Sequence, residues 1–263
     1  MYSKEHIEFL KKRKKRKRFI ITIQILVIIL FIAIWELLAD LNIINTFLFS
    51  SPKNIVNTLI NLSSNDLFEH IWVTLYETII SFLIASIVGL FIACILWLNK
   101  TLADIVDPFL TVLNSLPKVA LGPLIIIWVG ASTNSIIVMA LMISLIISII
   151  NIYNSFIKTE ENYITLLKCF KATKMQILTK AVIPHNLGNI FNTFKINISM
   201  SLIGVIMGEL LVSKKGLGYL IMYGSQVFNI NLVITSVFIL GVISYLIYYV
   251  LLKIEKVIFK LNK

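Results

Sequence analysis

The chain has 263 residues, of which 58% are hydrophobic and only 14% charged, with a mean hydropathy of +0.92. Soluble domains average about half apolar and about a quarter charged, so this composition excludes an ordinary soluble enzyme and points to a membrane protein. Its two cysteines, Cys94 and Cys169, have no metal-ligand spacing and give neither a disulfide framework nor a zinc site. The net charge of +11 is concentrated in a few segments.

The first of these is "KKRKKRKR", Lys11 to Arg18, directly before an apolar run. Alone it reads as a nucleic-acid patch, a targeting signal or a juxtamembrane anchor; beside a run of membrane-spanning length the anchor, facing anionic lipid from the cytoplasm, is the simplest reading. The run from Phe19 to about Leu38 is too long for a signal-peptide core and ends in "WELLAD" without a small-x-small cleavage site. It is expected to stay as a span. Residues 1–18 are thus a basic cytoplasmic tail and 19–45 the first transmembrane helix.

Residues 46–74 form an outer interfacial segment. In "SSPKNIVNTLINL", Ser51 can cap a helix whose first turn suits Pro52, because the N–H missing there would be unpaired anyway. Ile55, Leu59 and Leu62 recur on one face, the pattern of a short helix on the outer interface.

Residues 75–252 carry the remaining runs. With the first, the six apolar runs are about 19–39, 75–97, 105–128, 135–157, 188–212 and 231–252, each near the length that crosses about 30 Å of hydrocarbon. Lys100, the lysines of 158–180 and Lys253, Lys256, Lys260 and Lys263 fall on the side of the N-terminal tail. Only Lys53, Lys214 and Lys215 fall clearly opposite. Six spans with both termini cytoplasmic satisfy the positive-inside rule at every loop, and 253–263 is a second cytoplasmic tail.

The third run departs from a plain anchor. "SLPKVALGPL" places Pro117, Lys118, Gly122 and Pro123 near the expected bilayer middle. Prolines there free backbone carbonyls that need partners, and a lysine at that depth faces a cavity, a carboxylate or the interface. A kinked packing helix and a wet path are both compatible with this segment. Glu209, toward the outer end of the fifth run, is either a second path residue or the structural partner of Lys118.

Between the fourth and fifth runs lies a polar segment, 158–187. Thr159 precedes Glu160 and Glu161 at a helix start, and after a break near Lys171-Ala172 "TKMQ" forms a capping box of Thr173 and Gln176. Pro184 is expected to end that second helix and to make Ile183 extended. A helix, a turn and a short helix held between two spans have the build of a docking element.

From about Phe47 to the C-terminus these residues resemble the permease subunits of ATP-binding-cassette importers, in the nitrate/sulfonate/taurine-type branch of the binding-protein-dependent family. The resemblance rests on Ser51-Pro52, on Asp107-Pro108, and on Pro117, Lys118, Ala120, Leu121, Pro123, Leu124, Trp128 and Gly130 in order. It continues at Glu209 and in "GLGYLI", Gly216 to Ile221. It implies an all-α membrane protein of about six transmembrane helices with the type I importer permease (MetI-like) fold, acting as a homodimer in the lipid bilayer. It also implies ATP-binding cassette ATPase subunits and an extracytoplasmic solute-binding protein as partners. The chain itself would bind no cofactor and no nucleic acid, with ATP and Mg used by the ATPase; nothing here reads G-x-x-x-x-G-K-[ST].

Within the resemblance, 158–187 is the ATPase-coupling loop. The family's Glu-Ala-Ala triplet, glycine and proline fall on Thr165-Leu166-Leu167, Lys171 and Pro184, with the spacing kept and the letters changed. Leu166, Leu167, Phe170, Lys171, Ala172, Ile177 and Pro184 are the candidate coupling residues, with Ile164 and Leu178 adding apolar contact. Pro117, Lys118, Pro123 and Glu209 are the candidates for the translocation path. The implied cargo is a small solute such as a sulfonate, taurine, nitrate or a thiamine precursor. Two other classes compete: a secondary transporter or channel without an ATPase, which should show repeated halves, and an intramembrane enzyme, for which no H-E-x-x-H or serine–base arrangement is evident.

Overall fold

The structure, a computed structural model, describes residues 4–63 and 66–261; Lys263 of the basic tail lies outside them. The described residues are helical throughout their regular structure. Helix α1, Lys4–Asp40, joins the basic tail and first span in one rod. Short helices α2, Thr46–Phe49, and α3, Pro52–Ser63, lead to α4, Leu67–Leu98. Helix α5, Lys100–Ser115, a 3-10 turn at Lys118–Leu121 and α6, Gly122–Val129, carry the chain to α7, Thr133–Ile157. The polar segment comprises α8, Glu161–Cys169, α9, Lys174–Ile177, a π turn at Leu178–Val182 and α10, Ile183–His185. Helices α11, Leu187–Val212, α12, Leu217–Gln226, and α13, Ile230–Leu261, complete it.

The core is a three-helix seam of small side chains. Ser81, Ala85, Gly89 and Ala93 recur every four residues on α4, and Ala140, Ser144 and Ser148 do so on α7; all are buried. Hydrophobicity cannot draw helices together inside lipid, so close van der Waals approach must do it, and small residues permit that approach. A Cβ added to Gly204 of α11 would lie 2.5 Å from the Cα of Ala140, and one added to Gly89 would lie 2.4 Å from Ser148 Oγ. Asn197 Nδ2 donates to Ser86 Oγ at 3.2 Å, adding a polar link between α11 and α4.

These contacts set the chain directions. Glu77 of α4 meets Thr133, at the start of α7, and Gly89 lies against Ser148, so α4 and α7 run parallel. The connection between them must therefore recross the bundle. It does so as a broken span, with Lys100–Ser115 and Lys118–Val129 bent by 86°. Helix α11 is antiparallel to α4, pairing Asn197 with Ser86 and Glu209 with Thr74. Helix α13 returns beside α11, where Lys195 and Glu255 form an ion pair at 3.1 Å. Helix α1 reaches the outer end through Glu36, whose Oε2 accepts the Lys53 N–H at 2.9 Å. Counting the broken pair as one span gives six crossings. Lys4 and Leu261 then share the end that the charge distribution assigns to the cytoplasm.

Several boundaries differ from the sequence expectation. The first helix starts within the basic tail and ends at Asp40, residues 67–74 already belong to α4, and the last helix continues to Leu261. Ser51 does cap α3, with Asn54 N–H donating to its Oγ at 3.2 Å. The α3 face expected at the interface instead packs on protein: Ile55 is buried, and Leu59 and Leu62 rest against the cluster of Leu67, Leu217, Leu232 and Ile239. The break in the third run also lies nearer the outer side than mid-span. The sixteen residues of α5 already rise about 24 Å, and a Cβ on Gly122 would meet Leu211 and Met139, near the outer ends of α11 and α7.

This topology predicts a labelling pattern. With Cys94 and Cys169 replaced, Lys214→Cys should react with an impermeant thiol reagent added outside intact cells, and Thr173→Cys should react only after permeabilisation.

Candidate functional site

In the polar segment, the turn between α8 and α9 is a Schellman motif. Ala172 N–H donates to Leu167 O at 3.0 Å and Lys171 N–H to Lys168 O at 2.9 Å, the 6→1 and 5→2 bonds that end helices. Lys171 takes the left-handed position with φ of 56°. A non-glycine residue there costs roughly 1 kcal/mol. Thr173 then caps α9 in a reciprocal box: Gln176 N–H donates to Thr173 Oγ1 at 3.3 Å, and Thr173 N–H to Gln176 Oε1 at 2.8 Å.

Two features of the segment differ from expectation. Pro184 does not stop the helix, and Ile183 is helical with φ −62° and ψ −50°. The wider π turn at Leu178–Val182 absorbs the missing N–H and the ring's bulk, so the path continues into α11. Thr159 does not cap α8. It is buried and its Oγ1 accepts from Asn186 Nδ2 at 2.7 Å, fastening the beginning of the segment to its end.

The apolar residues divide between the protomer's own core and its surface. Ile177 and Leu178 are only 3% and 1% exposed and pack with Phe156, Ile152 and Ala93. They were expected to contact the ATPase; the amphipathic face they lie on is spent instead on seating the segment against α4 and α7. Ile164, Leu167 and Ala172 are partly buried against the same cluster. Phe170, Met175 and Leu166 are left outward at 76%, 58% and 56% exposed. Met175 was not among the sequence candidates. Lys174 Nζ reaches Leu98 O at 3.4 Å, tying the segment to the end of α4.

The path candidates do not gather into one site. Pro117 follows Leu116, whose extended backbone ends α5, and Pro123 occupies the first turn of α6. Lys118 folds back on α5: its Nζ donates to Asn114 O at 3.0 Å and Oδ1 at 3.3 Å, a cation placed at a helix C-terminus. It does not pair with Glu209.

Glu209 instead closes an outer latch. Its Oε1 accepts from Thr74 Oγ1 at 2.6 Å, and its Oε2 accepts the Gly218 N–H at 2.6 Å. The Thr74 hydroxyl oxygen also accepts the Leu217 N–H at 2.9 Å, and His70 Nδ1 accepts the Gly216 N–H at 2.9 Å. The turn before α12 is thereby bonded to α4 and α11. Gly216 has φ of 112°, and a Cβ there would lie 2.4 Å from the Glu209 carboxylate. This is why the "GLG" turn has no side chains at its two ends. At the rim, Lys215 pairs with Glu69, and that hydrogen bond pushes the Lys215 ammonium above its usual range.

Sequence reasoning missed Glu77, which is 1% exposed and faces both Glu209 and Thr133. Its signal was available as a lone carboxylate inside an otherwise apolar run. Among the described residues no group of three or more His, Cys, Asp or Glu side chains could hold a metal ion.

The latch predicts that Thr74→Val will leave buried N–H and carboxylate groups unmatched, at about 1–3 kcal/mol per group. Gly216→Ala adds a clash and backbone strain. Both should lower the melting temperature of the detergent-solubilised protein, whereas Lys215→Ala on the exposed rim should leave it nearly unchanged.

Comparison with known proteins agrees with this architecture. The chain is 26% identical to the putative aliphatic sulfonates transport permease of Bacillus subtilis over 242 residues, 92% of this chain and 88% of that one. It is 26% identical to the formylaminopyrimidine transport permease of Halalkalibacterium halodurans over 235 residues, 89% and 94% of the two chains. In fold it is similar to the inward-facing MetNI methionine ABC transporter, with a TM-score of 0.65 at 21% identity, covering 73% of this chain and 95% of that one. Residues 85–259, well over half of the chain, match the model of the binding-protein-dependent transport system inner membrane component. The chain belongs to that family: it is a multi-pass permease subunit of an ABC importer for a small solute, working with a binding protein and with a separate subunit that hydrolyses ATP.

Proposed function

We propose that the permease receives force from its ATPase through the outward apolar residues of segment 158–187, and passes a small polar solute of the sulfonate, taurine, nitrate or pyrimidine type. The observation carrying the coupling assignment is the exposure of Phe170, Met175 and Leu166 on one rigidly seated element at the cytoplasmic end. Large apolar side chains clustered on a soluble-facing surface mark a protein interface. Seating matters as much as exposure. The Schellman turn and the Thr173–Gln176 box fix the segment's shape, the Thr159–Asn186 bond ties its two ends, and apolar packing seats it on α4, α7 and α11, so a push on Phe170 is passed to the spans.

Leu167, Lys171, Ala172, Ile177 and Pro184 then serve coupling by shaping and anchoring the element, with Lys168, Lys174 and Lys180 at its rim. Pro117, Lys118 and Pro123 give the path its movable part, because an 86° break concentrates bending at a few residues. Glu209 acts as the latch of the outer end. The cargo assignment is supported by relatives whose names specify aliphatic sulfonates, formylaminopyrimidine and, at 19% identity, taurine.

Two substitutions separate coupling from folding. Phe170→Asp combined with Leu166→Asp should abolish co-purification with a co-expressed ATPase and leave thermal stability within about 0.5 kcal/mol of the parent, as for exposed sites. Ile177→Asp should instead lower folded yield and melting temperature, by an unpaired buried charge. An intact complex in the double variant would remove the segment from the ATPase interface.

A further inference from the structure

At their cytoplasmic ends α7 and α11 part to leave a cleft of about 370 Å³, within the range of about 300–1,000 Å³ typical of small-molecule pockets. Its lining is polar except for Ile196, and none of it is acidic. Asn151 and Asn154, with Lys158 one turn further, project from the end of α7; Asn189 and Asn192 project from the first turns of α11. Asn189 is oriented by donating its amide to Asn186 Oδ1 at 3.1 Å. Among the described residues, the side-chain amides of Asn151, Asn154 and Asn192 have no hydrogen-bond partner, and Lys158 has no carboxylate partner. Asp104 and Asp107 line an adjoining cleft that shares Asn154 with this one, and neither carboxylate lines the cleft between α7 and α11.

Both helices are long and apolar enough to cross the membrane, and unsatisfied amides facing acyl chains would be costly. The cleft must therefore face water or a second copy. Its donor set discriminates between solutes. Amides alone would hold any polar group, but three free amide NH₂ groups with one uncompensated ammonium favour an anion, whose oxygens accept from all of them. We propose that this cleft is a binding station for the transported solute on the cytoplasmic side, taking it by an oxyanion group such as a sulfonate or carboxylate. The proposal rests on the importer reading and narrows its cargo to small anions or zwitterions. Lys158 sets the sign of the charge and the asparagines set the geometry.

The test uses the full chain with its co-expressed ATPase in lipid nanodiscs, Cys94 and Cys169 replaced, and Asn192→Cys as reporter. The probes are a sulfonate-bearing methanethiosulfonate and its trimethylammonium analogue, with rates normalised to those of 2-mercaptoethanol. The sulfonate reagent should react about fivefold faster than the cationic one, and Lys158→Gln should bring the two rates to near parity. Equal rates in the Lys158 protein would show a wet cleft without anion selection and overturn the proposal. Failure of both reagents would overturn it too, by showing that a second copy covers this face. Loss of ATPase co-purification, measured before labelling, would count against the importer coupling itself.

Discussion

Close approach of three helices along small residues is the constraint on which the remainder of this fold depends. Where the Gly204 backbone rests on Ala140 and Gly89 on Ser148, no side chain larger than the one present fits without moving a helix. In lipid, such contact takes the role that apolar burial plays in water. The seam brings Thr74 and Glu77 under Glu209 at the outer end and brings Phe156 and Ala93 against Ile177 at the inner end. The latch and the coupling segment are thus attached to the same three rods at opposite ends, and a tilt of one rod is felt at both.

The two ends are built from different interactions. The outer turn is held by hydrogen bonds from backbone N–H groups to a buried carboxylate, a hydroxyl and an imidazole. Such bonds are directional and are lost together when the geometry shifts. The inner segment is seated mostly by apolar packing, with polar bonds confined to its turns and ends. Packing tolerates small sliding, which suits an element that must stay attached while a partner moves it.

What was legible in the sequence was largely local. The Thr173–Gln176 box, the Ser51 cap and the break at Lys171-Ala172 each depend on residues within a few positions, and each is present. Five spans and the bent pair that would make a sixth were legible from hydropathy, and their orientation was assigned from lysine placement. Ile177 shows where that reading fails: periodicity reveals an apolar face but not which surface covers it, and the protomer's own core does. Pro184 shows another limit, since a π turn five residues long removes the conflict that made the proline look like a stop. The neighbours of Glu77 and the true partners of Glu209 are tertiary facts. Thr74 and Glu209 are 135 residues apart, and no local pattern joins them.

That separation has a consequence for how the protein is made. Helix α4 enters the membrane well before α11 exists, and at about 5–20 residues per second the interval between Thr74 and Glu209 is roughly 7–27 s. For that time α4 stands in the bilayer with a carboxylate and a row of hydroxyls that have not yet met their covering helix. Its early neighbours are α1, which among its described residues buries only Ala39 in its membrane-spanning part, and then the broken span. The seam cannot close until the fifth crossing is synthesised. Nascent chains arrested before α11 should therefore be held by the insertion machinery or cleared by membrane proteases, while those arrested after it can fold.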